Sequence, residues 1–172
     1  LEQAEQYGLV VVNSPAAVRL CGNRNQLYRQ MALAGMQVPP ATDATPCWLK
    51  RSDGWTEQQG DVAFCANQTE LDCAKQRLAQ RGINECITQK HIEGRHMKFY
   101  GVGDTIIYPE EFHLPPIRKH LGLDIYGGDA IVDEHGQVYV IDLNDFPSFA
   151  ACHEEAAHTI AQHIINKIQN QS

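Results

Sequence analysis

Asp129, Asp142 and Asn144 have the side-chain types and the spacing to hold a cation. All three fall in the stretch GGDAIVDEHGQVYVIDLNDFPSF, from Gly127 to Phe149. Asp142 and Asn144 lie two apart in a β-rich run, so on a strand they share one face, about 6.5 Å apart. The polar group Glu134-His135-Gly136-Gln137 offers a turn between two β-rich runs, which makes the segment a hairpin. With those four residues as the loop, Asp133 pairs with Val138, and counting back along the ladder sets Asp129 opposite Asp142, about 4.5 to 5.5 Å away. Carboxylates that close resist joint ionisation unless positive charge sits between them. Magnesium suits such oxygens: it takes one or two protein carboxylates and fills its octahedron with water and phosphate oxygens. The pattern therefore points to a metal–nucleotide site. The competing reading is an acidic hairpin edge left in water, and a one-residue slip in register would turn Asp129 to the other face.

The elements that must position these groups are legible upstream. Leu1 to Tyr7 reads as the tail of a helix stopped by Gly8, Leu9 to Val12 as a short buried strand, and Asn13-Ser14-Pro15 as a helix start. Asn23 to Ala34 is amphipathic through Leu27, Met31 and Ala34, with Gly35 as its stop. The prolines at 39 and 40 keep Val38 to Thr42 extended. Cys47 to Lys50 is a strand, followed by a polar loop through Gly60, and Asp61 to Ala66 is another. Asn67 with Glu70 caps a helix whose buried stripe is Leu71, Ala74 and Leu78. Glu85 to Ile92 returns as a strand, Arg95 to Val102 and Thr105 to Tyr108 form a second hairpin, and Glu110 to His120 is irregular. A last helix runs from Ala150 to Ile168, capped by Ser148, with Ala156, Ile160, Ile164 and Ile168 on its core face, packed behind the acidic hairpin. The alternation gives an α+β chain in two lobes with largely antiparallel sheets.

Composition narrows the function classes. A net charge of -7 with no Lys/Arg run argues against nucleic acid as a partner. No stretch reaches the roughly 20 apolar residues of a membrane span. The six cysteines include no C-x-x-C pair and mostly sit in apolar patterns, so they read as buried thiols of a reducing, cytoplasmic compartment rather than disulfides or zinc ligands.

The runs GGDAIVD and YVIDLNDFP strongly resemble the closing hairpin of the ATP-grasp superfamily, and the resemblance extends over most of the chain. It implies a two-lobed ATP-grasp fold with ATP between the lobes: a lead-in over residues 1–42, a central nucleotide-binding lobe over 43–94 and a C-terminal lobe over 95–172. The sequence resembles a piece that lacks the family's N-terminal domain, which often carries part of the acceptor site. Carried over residue by residue, the magnesium ligands would be Asp129, Asp142 and Asn144, with Mn²⁺ as a substitute ion. Lys50 would reach the nucleotide phosphates beside a loop suited to be a lid. Arg24 stands where the family has a phosphate-directed lysine. Gln89, Lys90, His91 and Ile92 in the phrase QKHIEG would surround adenine, with main-chain contacts from His91 and Ile92.

His96 stands where many relatives have a glutamate for the ribose. Lys98 matches a phosphate-facing lysine of the inositol phosphate kinases in the superfamily. Gly127 stands where relatives often have an arginine, a charge that Arg118 could supply. The resemblance implies ATP and a small-molecule acceptor as partners, and a homodimer is an option that would cover apolar surface left by a truncated lobe. Three functions follow. One is a ligase that activates a carboxylate for an amine or thiol; another is a small-molecule kinase acting on a hydroxyl; the last is a nucleotide-binding module without turnover. A polyphosphate acceptor would want a dense basic pocket, and the 14 Lys and Arg are spread along the chain, which tilts the reading to the ligase.

Overall fold

The computed structural model describes residues 1–109 and 113–170. Three helices come first: α1 (Glu2–Gln6), α2 (Pro15–Cys21) and α3 (Arg24–Leu33). Ser14 Oγ accepts from Ala17 N at 3.2 Å with Pro15 in the first turn, and Asn23 Oδ1 accepts from Gln26 N at 3.0 Å, so both later helices start on side-chain caps. Gly35, at φ 85°, ends α3 in the left-handed region open to glycine. Residues 9–12 belong to no sheet, which corrects the expected strand there.

A three-stranded antiparallel sheet follows, β1 (Cys47–Arg51), β2 (Val62–Cys65) and β3 (Cys86–Lys90), with β1 in the centre. Helix α4 (Gln68–Gln80) covers one face, where Cys47, Leu49 and Cys65 pack on Leu71, Ala74 and Leu78. Its start is the expected reciprocal cap, with one difference. Asn67 Oδ1 accepts from Glu70 N at 3.0 Å, but the Glu70 carboxylate accepts from Ala66 N and from the Asn67 side-chain amide, each at 2.9 Å, rather than from the backbone N–H of the cap residue. Strand periodicity sends Trp48 and Lys50 to the other face, away from α4.

The second sheet has the order β5-β4-β6-β7: β4 (Arg95–Val102), β5 (Thr105–Tyr108), β6 (Ile125–Val132) and β7 (Val138–Asn144). One face, carrying Met97, Phe99, Tyr126, Ala130, Val140 and Leu143, packs on α2, α3 and α5 (Ile117–Leu121) in the main core. Between residues 110 and 120 irregular structure was expected; 110–112 lie outside the described residues, and from Ile117 the chain is helical instead. Leu121 and Ile117 bury there, which gives the turn its reason.

The last helix, α6 (His153–Gln169), starts after the expected Ala150, and Cys152 rather than Ser148 precedes it, with no side-chain cap. It lies over Tyr100, Val102 and Phe149 rather than behind the β6–β7 hairpin. Ala156 is buried and Ile160 and Ile164 are half-buried, but Ile168 is 48% exposed, so the apolar stripe opens at its C-terminal end. Among the cysteines Cys73 is exposed, against the expectation of burial, and no disulfide forms. Among the described residues no helix is long and apolar enough to cross a membrane.

Candidate functional site

The acidic face is built by an irregularity in the β6–β7 ladder. Val132 pairs with Val138, Ile131 with Tyr139 and Ala130 with Val140. Unbroken, that register would bring Ile141 opposite Asp129 and turn Asp142 to the core side. The ladder shifts between Asp129 and Ala130, so Ile141 is an extra residue and Asp129 pairs with Asp142 after all. The turn is one residue longer than expected, with Asp133 unpaired in the ladder and its Oδ1 accepting from His135 N and Gln137 N at 2.9 and 2.8 Å. Two one-residue differences cancel, and the facing carboxylates result.

Beyond them Asn144 stands opposite Gly127 on the same face. Asn144 Nδ2 donates to Asp142 Oδ2 at 3.1 Å, leaving the amide oxygen as its remaining ligand atom. On β4 the pairing Lys98↔Asp129 and His96↔Ile131 brings both side chains to the same carboxylate. Lys98 Nζ lies 2.9 Å and His96 Nε2 3.1 Å from Asp129 Oδ1. The salt bridge holds the Lys98 ammonium above its ordinary value. A cation is compatible with this donor set: the atoms are hard carboxylate and amide oxygens on one face. Among the described residues no three His, Cys, Asp or Glu come together to hold an ion alone, so the shell would need Asn144 and non-protein oxygens.

Between the two sheets lies a cavity of about 310 Å³ lined by Arg24, Lys50, Gln89, Lys90, His91, Ile92, His96, Asp129 and Asp142, all singled out by sequence. Lys50 is 7% exposed at its floor. Burial pushes its ammonium down to about 8, opposed by the charge of Asp142 and reinforced by Arg24. Arg24, also buried, donates to Arg51 O at 3.1 Å and to Thr56 Oγ1 at 2.8 Å, which anchors the polar loop after β1 to the start of α3. Asp61 holds the far end of that loop: its Oδ2 accepts from Glu57 N at 2.8 Å and Gln58 N at 3.1 Å, and Arg81 lies 2.7 Å from Oδ1.

At the opposite end of the cavity Gln89 is 4% exposed and pairs with Trp48 across the β1–β3 ladder. Its Nε2 donates to Pro39 O at 3.2 Å, which fixes the amide, and its Oε1 has no hydrogen-bond partner. Trp48 Nε1 donates to His91 Nδ1 at 3.1 Å, and Phe64 packs on both rings at centroid distances of 5.4 and 5.1 Å. The backbone N–H of His91 donates to Pro46 O at 3.4 Å.

Arg118 is not brought here. It bonds Asp124 Oδ1 at 2.9 Å, in a buried cluster where His163 Nε2 also lies 2.9 Å from that oxygen and Lys167 donates to the other. Its charge is used to neutralise a buried carboxylate at the start of β6. Position 127 would not tolerate the arginine of relatives either, since even a Cβ there would meet Pro147 Cβ and Tyr100 Cδ1 at 2.7 Å.

Sequence reasoning missed Tyr28, Trp48 and Ile141. Tyr28 stands one helical turn after Arg24, and Trp48 two residues before Lys50, so each shares a face with a residue already singled out. The bulge at Ile141 left no sequence signal.

No family model matches the chain, and no curated protein matches it in sequence. Solved structures do match in shape. A RimK-domain ATP-grasp protein from Sphaerobacter thermophilus superposes with a TM-score of 0.66 at 21% identity, over 95% of this chain and 77% of its own. The D-alanine–D-alanine ligase of Bacillus anthracis gives a TM-score of 0.75 at 14% identity, over 99% and 74%. The biotin carboxylase domain of a Hydrogenobacter thermophilus 2-oxoglutarate carboxylase, solved with MgADP and bicarbonate, gives 0.66 at 19% identity, over 87% and 45%. The chain thus spans less than half of the last of these. Together the likenesses show that the chain has the ATP-grasp fold.

Proposed function

We propose that this chain, with its ATP-grasp fold, binds MgATP between its sheets and transfers the γ-phosphoryl group to a carboxylate, which an amine or thiol then attacks. The observation that carries the reading is the division of the cavity: a buried, unpartnered acceptor beside an aromatic wall at one end, and buried cations next to facing carboxylates at the other. That order suits a base at Gln89 and phosphates at Lys50 and Arg24. Asp129, Asp142 and Asn144 would hold magnesium, which would neutralise negative charge on the phosphates.

The chain's own residues do the rest. Lys50 and Arg24 offer N–H donors to the phosphates from a site where water is scarce, so their field is little screened. Lys98 lies where it can either stay on Asp129 or turn to the transferred group. The acceptor carboxylate attacks the γ-phosphorus and ADP leaves; the nucleophile then attacks the acyl carbon and phosphate leaves. Several of the neighbours are ligases or carboxylases, which favours this class over a kinase. Phosphorus NMR of the protein with ATP, Mg²⁺ and a panel of carboxylic acids and amines tests it. ADP and inorganic phosphate should appear in equal amounts and only when both co-substrates are present; a phosphorylated hydroxyl compound as the product would contradict it.

A further inference from the structure

Tyr28 belongs to α3, Lys50 to the three-stranded sheet and Ile141 to the four-stranded one, yet the three meet at a single point on the cavity floor. Lys50 Nζ donates to Tyr28 Oη at 2.8 Å and to Ile141 O at 2.7 Å, and Tyr28 Oη donates to the same carbonyl. The hydrogen count decides the roles. A phenol has one proton, and here it goes to Ile141, so the bond between Tyr28 and Lys50 must be donated by the ammonium. Two of the three ammonium N–H groups are thereby assigned, and a single one is left for the cavity. Lys50 Nζ also lies 5.1 Å from the centroid of the Tyr28 ring, so ring and hydroxyl both bear on the ammonium.

The carbonyl that receives both donors belongs to the bulged residue. A bulge leaves its extra residue outside the ladder, and such a carbonyl needs a partner from elsewhere when buried. Tyr28 and Lys50 supply two. Their bonds also bridge the two sheets at the point where Asp142 is turned toward Asp129.

We propose that Tyr28 is a positioning residue for the nucleotide phosphates: it aims the one remaining N–H of Lys50 into the cavity. The inference rests on the MgATP reading above. Burial and the charge of Asp142 push the Tyr28 phenol above its ordinary value, so it keeps its proton and its donor role through the neutral range.

The test is calorimetric titration with a non-hydrolysable ATP analogue plus Mg²⁺, paired with an NMR shift titration of adenosine. It uses the wild type, Tyr28→Phe, Lys50→Met and the double variant. Tyr28→Phe should weaken the triphosphate analogue about tenfold and leave adenosine unchanged, because the base end of the cavity does not touch Tyr28. In the Lys50→Met background the same change should weaken the analogue by less than twofold further, the signature of two residues acting through one contact. A general structural role would instead weaken adenosine and analogue alike, and that result overturns the inference. So does full affinity in Tyr28→Phe, which leaves the MgATP reading standing. A wild-type chain that binds adenosine but no Mg-triphosphate overturns both.

Discussion

Asp129 faces Asp142 across the β6–β7 ladder because Ile141 is an extra residue in β7. Two like charges directly opposed on a sheet cost roughly 0.2 to 1 kcal/mol, and Asp129 already draws on Lys98 and His96 for relief. The pair is therefore a local cost to the fold that a bound cation would remove. Asp142→Asn should leave stability in EDTA unchanged or raise it by up to about 1 kcal/mol, measured by urea unfolding. The same variant should lose the Mg²⁺-dependent binding of the nucleotide.

Gly128 tests the same geometry from the other side of the ladder. A Cβ at this position would meet the Asp142 carbonyl at 2.2 Å and the Phe99 ring at 2.7 Å. Backbone cannot give way as a side-chain tip can, so Gly128→Ala should destabilise by about 1 to 3 kcal/mol or more. Gly136→Ala makes the contrast, since a Cβ there meets nothing within 4 Å and only its φ of 77° resists, at roughly 1 kcal/mol. Thermal unfolding of the two variants should rank them in that order.

Asp61 carries the acid sensitivity of the three-stranded sheet and its loop. Burial alone would raise its carboxyl, but bonds from Glu57 N, Arg81 and Gln58 N outweigh burial and hold it at about 2, below the ordinary 3.8. The folded value is depressed, so the stabilisation is fully present above the unfolded value and is lost as pH falls through the folded one. The difference is worth about 2 kcal/mol, and it should disappear between about pH 4 and pH 2. Asp61→Asn should abolish this part of the pH dependence and cost about 3 to 5 kcal/mol at neutral pH, because Arg51 and Arg81 lose their buried partner.

Gln89→Leu separates recognition from folding. The substitution removes a buried oxygen that has no partner but also the Nε2 bond to Pro39 O, so the two effects oppose and stability should change by about 1 kcal/mol or less. If that oxygen accepts from the amino group of adenine, affinity for the ATP analogue should fall about tenfold, the worth of one to two neutral hydrogen bonds of about 1 kcal/mol each. Discrimination against the guanine analogue should fall with it. Parallel titrations with the two analogues check both.

Most of the elements could be read from the sequence, since strand alternation, helix caps and glycine stops act over a few residues. Asn67 caps where its position predicts, and β4 and β5 have the expected bounds. What was not legible depends on contacts remote in sequence. Residues 9–12 are apolar enough for a strand but find no ladder in this structure. Arg118 looked available because it is basic and near in sequence, whereas Asp124 takes it up once β6 and α6 are assembled. At the hairpin, the longer turn and the bulge each moved the register by one, in opposite senses. The facing of Asp129 and Asp142 was thus anticipated through a ladder that is not the one formed.

The most direct test of the central claim is calorimetric titration of the wild-type chain and the Asp142→Ala, Asn144→Ala double variant with a non-hydrolysable ATP analogue, with and without Mg²⁺. The account predicts binding by the wild type that requires Mg²⁺ and is lost in a double variant that remains folded. Absence of binding by the folded wild type, or binding that ignores both Mg²⁺ and the two substitutions, would contradict it.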